Sequence, residues 1–133
     1  MQPIFVNLPV GNLQVSRDFY AALGFTFNEQ FSDNHAACVV VSDSIFVMLL
    51  VKDYFASFID KPIADAKRQT EVLLCLSSPS RAAADTMVAS AVQAGGSAPR
   101  PPKDYGFMYQ QGFEDPDGHL WELACMLGEP PKH

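Results

Sequence analysis

Apolar side chains along this chain switch between two spacings, and the switches divide it into two similar halves. The extended run Pro3 to Val10 is followed by Gly11-Asn12 and then by Val15, Phe19, Ala22 and Leu23 at helical intervals. Asn12 can cap a helix there and Gly24 can end it, so the spacing predicts an amphipathic helix over 13–23. Extended runs follow at about 25–31, 36–42 and 45–51, the last two joined through Ser42-Asp43-Ser44. The order is β-α-β-β-β.

A more polar stretch, 52–69, holds a short helix-like piece around Tyr54 to Ile59 and is interrupted at Pro62, which marks it as a connector. The pattern then restarts. A strand-like run at 71–78 leads to a helix start at Pro79-Ser80, an apolar stripe of Ala84, Met87, Val88, Ala91 and Val92, and a close at Gly95-Gly96. An extended piece near 97–100 and two runs at 105–114 and 119–126 complete a second β-α-β-β-β. The expected organisation is one domain over 1–133, with module one at about 1–51 and module two at about 70–128. Two copies of one open unit must find partners for their sheet edges. Side-by-side pairing predicts an α+β fold: a curved mixed sheet, half-open like a barrel, with helices on the outer face and a cup for a small molecule on the inner one.

The segment Asp115-Pro116-Asp117-Gly118 reads as a tight turn. If those residues are the whole loop, Glu114 pairs with His119, Gln111 with Glu122 and Tyr109 with Ala124. One face then carries Phe107, Tyr109, Gln111 and Phe113 beside Leu120 and Glu122, a mix of rings and polar tips suited to a ligand pocket. The other carries Met108, Gly112, Trp121, Leu123 and Cys125 and reads as core, with Gly112 leaving room beside the indole. The same alternation sets Phe5, Asn7, Phe46 and Met48, and also Glu71, Leu73 and Cys75, toward the cup. Glu122 is a carboxylate among apolar strand neighbours. Two readings stay open for it: a group with chemistry to do, or a structural carboxylate hydrogen-bonded to Gln111 or a tyrosine.

Charge narrows the partners. A net charge of −6 argues against a phosphate backbone or an anionic membrane, both of which attract basic surfaces. No apolar run approaches the roughly 20 residues that span a bilayer, and no signal peptide is visible at the start, so the expected location is the cytoplasm. Cys38, Cys75 and Cys125 are odd in number and lie in apolar strand-like runs, without the spacing of a zinc site; they read as free, buried thiols.

Three stretches, "NLPVGNLQVSRDFYAALGF", "AVQAGG" and "FEDPDGHLWEL", together resemble the vicinal oxygen chelate superfamily, which includes glyoxalase I, extradiol dioxygenases, fosfomycin-modifying enzymes and bleomycin-resistance proteins. The form around "FMYQQGFEDPDGHLWEL" looks like the group described as lactoylglutathione lyases. The resemblance implies paired βαβββ modules around a divalent metal held by one side chain from each of four strands. Carried over by position, those four places fall on Phe5, Met48, near Glu71, and on Glu122. A benzyl ring cannot coordinate a metal and a thioether is a poor ligand for hard cations, so the implied metal set shrinks to Glu71 and Glu122. Two functions follow from the resemblance. One is a glyoxalase-like lyase or isomerase, or a dioxygenase relative, in which Glu122 or Glu71 takes a proton beside a carbonyl while a cation stabilises the enediolate. The other is a non-catalytic protein that sequesters a small molecule, favoured by Phe5 and by Pro9, where glutathione-using relatives commonly carry an arginine. Relatives often build their cups across two chains, which implies a homodimer.

Overall fold

A computed structural model describes residues 2–129 of the chain. Its elements are β1 (Ile4–Val10), α1 (Leu13–Ala22), β2 (Thr26–Asn28), β3 (Ala36–Val40), β4 (Ile45–Val51), α2 (Lys52–Ala56), β5 (Leu73–Ser77), α3 (Arg81–Gln93), β6 (Lys103–Asp104), β7 (Met108–Glu114) and β8 (Leu120–Met126). They fall into two compact units that meet between Asp65 and Ala66, inside the expected connector.

Both units use one topology. The first sheet runs β1-β4-β3-β2 and the second β5-β8-β7-β6, so in each the unit's first strand lies beside its last. Those neighbours are parallel and the others antiparallel. The fold is α+β, built from the two expected βαβββ repeats; the single curved sheet resolves into two four-stranded mixed sheets, neither of them a closed barrel.

Helix starts follow their caps. The Asn12 side chain accepts a hydrogen bond from the Val15 amide at 3.1 Å, and the Ser80 hydroxyl accepts one from Ala83 at 3.0 Å. α1 lays Ser16, Phe19 and Tyr20 on β3 and β4, whose Val39, Val47 and Leu49 point back at it and are fully buried. α3 packs on β7 and β8 through Ala84, Val88 and Ala91.

Three elements differ from expectation, the first two for a local reason. The strand expected at 25–31 stops at Asn28, whose side chain takes the Gln30 amide at 3.0 Å and turns Glu29–Phe31 into a single 3-10 turn. The extended piece near 97–100 is reduced to one bridge, Ser97 to Glu114, because Pro99, Pro101 and Pro102 have no N–H for a ladder. The short helix around Tyr54 begins earlier and is over by Ala56.

The hairpin register also differs, by one residue. The Asp115 amide donates to the His119 carbonyl at 3.0 Å, so these two residues already pair and the loop is Pro116-Asp117-Gly118. Gly118 sits at φ 95°, the left-handed residue that follows a type I turn in a three-residue hairpin loop. The Asp115 carboxylate holds the turn, accepting from the Asp117 and His119 amides at 3.0 and 2.9 Å. Glu114 therefore pairs with Leu120, and Gly112, not Gln111, lies opposite Glu122.

Candidate functional site

That shift of one residue exchanges the two faces of β7. Tyr109, Gln111 and Phe113 share a face with Trp121, Leu123 and Cys125, and this is the face α3 covers. Phe113 and Trp121 stack in parallel, 6.2 Å between ring centres, and both are buried. The Tyr109 hydroxyl donates a very short hydrogen bond to Asp85 on α3, and Gln111 Nε2 donates to the same carboxylate oxygen at 2.5 Å and to the Tyr109 oxygen at 3.0 Å. Arg81 lies 4.4 Å over the Tyr109 ring and pairs with Asp104 at 2.8 Å. The hydrogen bond to Asp85, followed by burial, raises the Tyr109 phenol above its usual range, since an anion there would face a carboxylate. The assignment of Tyr109, Gln111 and Phe113 to the Glu122 face is thus corrected: they tie sheet to helix, although Gln111 and Phe113 still border the cleft beside Glu122. Phe107 is corrected too. It lies in the bend before β7, where its carbonyl takes the Leu127 and Gly128 amides.

What remains beside Glu122 is a sparser, more polar face. Its cross-strand neighbours are Gly112 on β7 and Cys75 on β5. A Cβ at Gly112 would stand 3.0 Å from the Trp121 carbonyl and 3.6 Å from the Glu122 side chain. The glycine therefore leaves room for the Trp121 backbone carbonyl, rather than for the indole as expected. Among the described residues the Glu122 carboxylate makes no hydrogen bond or ion pair. Gln111, its expected structural partner, is engaged with Asp85 on the opposite face. Glu122 borders a cleft of about 270 Å³ together with Leu73, Arg100, Lys103, Gln110 and Leu120.

Cys75 was expected to be buried, and it is exposed; Cys38 and Cys125 are buried, and all three are free thiols. Partial desolvation against the sheet, then the charge of Glu122, pushes the Cys75 thiol up, so it stays protonated near neutral pH and is a poor nucleophile.

In the first unit the alternation holds. Phe5 pairs with Phe46 and Asn7 with Met48 across β1 and β4, on the face away from α1. The two phenyl rings stack 4.9 Å apart. Phe5, Asn7 and Met48 border a cleft of about 510 Å³ whose other walls include Phe31, Tyr54 and Phe58. Phe31 and Phe58 are 57% and 66% exposed, and Phe58 meets Tyr54 edge to face at 5.0 Å. The sequence reading missed this trio. Part of its signal was available: Tyr54 and Phe58 are large rings spaced four apart in a polar connector, with no helix long enough to bury them.

These residues do not fit a resident divalent metal. Glu71 lies exposed before β5 begins, the ladder places Cys75 and not Glu71 beside Glu122, and Phe5 and Met48 offer no hard donor. Among the described residues no group of three His, Cys, Asp or Glu side chains could hold a metal ion. His35 and His119 bring no ligand set: His35 lies 4.0 Å from Asp33 at the surface, and the His119 amide serves the hairpin turn. No described helix is long and apolar enough to cross a membrane.

The sequence profile of the Glyoxalase/Bleomycin resistance protein/Dioxygenase superfamily matches residues 3–123. Among solved structures, the hypothetical protein SA1046 from S. aureus is 25% identical, with a TM-score of 0.81 over 94% of each chain. A glyoxalase-related enzyme from Fulvimarina pelagi is 19% identical, with a TM-score of 0.80 over 94% of this chain and 88% of that one. TnmS3, an antibiotic binding protein from Streptomyces sp. CB03234, is 19% identical, with a TM-score of 0.66 over 95% of this chain and 96% of its own. No curated protein matches the chain.

Proposed function

The chain belongs to the Glyoxalase/Bleomycin resistance protein/Dioxygenase superfamily, and from that premise we propose that it binds a small organic molecule without a resident metal. The observation that carries this reading is the aromatic cleft of the first unit. Rings as exposed as Phe31 and Phe58, beside the Phe5–Phe46 stack, leave apolar area in water that a planar ligand would cover. At roughly 25 cal/mol per Å² of apolar surface, such cover is a real driving force for association. One structural relative, TnmS3, is an antibiotic binding protein, which agrees with sequestration as the role. The reading includes a homodimer in the cytoplasm, for which light scattering on purified protein and fractionation are the tests.

One observation favours a second reading. Glu122 is a carboxylate without a hydrogen-bond partner among the described residues, at the edge of a cleft, which is where a general base for proton abstraction beside a carbonyl would stand. Base chemistry of the glyoxalase kind usually leans on a cation to hold the enediolate, and Phe5 and Met48 supply no donors for one.

Two experiments separate these readings. A thermal-shift panel of planar aromatic compounds should raise the melting temperature of the native chain, and Phe58→Ala should weaken the shift. A panel without any stabilising compound would contradict binding. Glutathione-dependent methylglyoxal isomerisation with added nickel, zinc or cobalt should stay far below an ordinary turnover of about 10 per second. Turnover in that range would establish the second reading instead.

A further inference from the structure

The cleft of the second unit has a built edge, and that edge points to the kind of molecule it takes. Between Ser97 and Lys103 the chain forms a strap along the free side of β7. Its first end is fixed by two hydrogen bonds between Ser97 and Glu114, at 3.1 and 2.7 Å, and its second by the pairing of Lys103 with Gln110. Six residue steps along the strap, 97 to 103, thus cover four along β7, 110 to 114, and the excess bows away from the ladder. Pro99, Pro101 and Pro102 stiffen the bow, and Arg100 stands between them.

Under the bow, β7 has backbone groups to spare. Glu114 directs its N–H and C=O at the strap, and backbone direction alternates along a strand, so Gly112 directs its own the same way. No strap residue pairs with Gly112 in the ladder. Arg100 makes no hydrogen bond or ion pair among the described residues, and neither does Glu122. A guanidinium, a backbone amide without a ladder partner and a carboxylate therefore border one cleft, which the apolar Leu73 and Leu120 also line.

We infer that this cleft binds an amphipathic small molecule that carries a carboxylate and, away from it, a hydrogen-bond donor on an apolar body. The carboxylate goes to Arg100 and the Gly112 amide, because a guanidinium and a backbone N–H are the donors that recognise an oxyanion. The donor goes to Glu122, which repels an anion and accepts only from N–H or O–H. The apolar body lies on Leu73 and Leu120. This inference rests on the reading above that the chain binds a small organic molecule, and it adds a ligand class for the cleft of the second unit.

The test uses indole-3-acetate, which has a planar body, a ring N–H and a carboxylate, against indole-3-acetamide, which differs in lacking the charge. Amide resonances of the isotope-labelled full chain report where each binds. Indole-3-acetate should move Ala98, Arg100 and Gly112 and should bind about tenfold more tightly than the amide, as expected for one charge-assisted pair. Arg100→Gln, an exposed substitution whose spectrum also reports its folding, should reduce the acetate to the affinity of the amide and leave the amide unchanged. Equal affinities, or a preference that survives Arg100→Gln, would overturn the inference. Shifts confined to Phe31, Tyr54 and Phe58 would overturn it and leave the binding reading standing. No shift from either compound would overturn it as well, and the aromatic panel then judges the broader reading on its own.

Discussion

The two units share one strand order, yet their open faces carry different chemistry. In the first, Phe5 stacks on Phe46, and Met48 and three further rings border the cleft. In the second, the corresponding positions hold Cys75 and Glu122 under a proline-stiffened strap with an arginine. The helix-side faces are alike in being close-packed, around Tyr20 in one and Trp121 in the other, although the second also carries the hydrogen bonds of Tyr109 and Gln111 to Asp85. A repeated fold constrains the face that packs against the helix and leaves the other free to change. Chemistry diverges where packing does not dictate the residue.

The sharpest way to break this comparison is to remove one large side chain from each face. Trp121→Ala, at 2% exposure and stacked on Phe113, should cost about 3–5 kcal/mol in chemical denaturation. Phe5→Ala, at 44% exposure, should cost about 1 kcal/mol or less while reducing the stabilisation by aromatic ligands. Equal losses would mean that the Phe5 face is core after all. Gly112→Ala comes next. Its new Cβ would press on the Trp121 carbonyl at 3.0 Å, which the ladder holds in place, so a loss of about 1–3 kcal/mol is expected.

Smaller again is Tyr109→Phe. Losing the hydrogen bond to Asp85 should cost about 1 kcal/mol at neutral pH, Gln111 still serving that carboxylate. The sign with pH follows from a phenol raised by Asp85. Its contribution is full below the unfolded value near 10 and fades as pH climbs through the folded value, so the native chain should lose stability at alkaline pH. Tyr109→Phe should lack that alkaline loss. A variant whose stability tracks the native chain above pH 10 would contradict the assignment.

The periodic parts of this fold were legible in the sequence because periodicity and capping are local. Asn12 and Ser80 announce α1 and α3, and the return of the same order after the connector announces the repeat. The candidate site was legible only in part, because it depends on register. One residue in the turn decides it: Gly118 can sit inside a four-residue loop or serve as the left-handed residue after a type I turn, and only the second puts Glu122 opposite Gly112. The order Asp-Pro-Asp-Gly favours the second, with aspartate first, proline next and glycine last. Phe113 and Trp121 on one face would have agreed with it. Glu71 was misplaced for a similar reason, since a strand taken to begin two residues early hides Cys75 as the neighbour of Glu122. The strap was out of reach, because its role depends on where its ends are fixed to β7.

The smallest expected effect tests the central claim, that Glu122 belongs to a ligand surface and not to the scaffold. Glu122→Gln keeps the shape of the side chain and removes its charge. With no structural partner to lose among the described residues, the variant should unfold within about 0.5 kcal/mol of the native chain in chemical denaturation at neutral pH. A loss of about 1–3 kcal/mol would contradict the account, because it would show that the carboxylate is held by a donor within the fold.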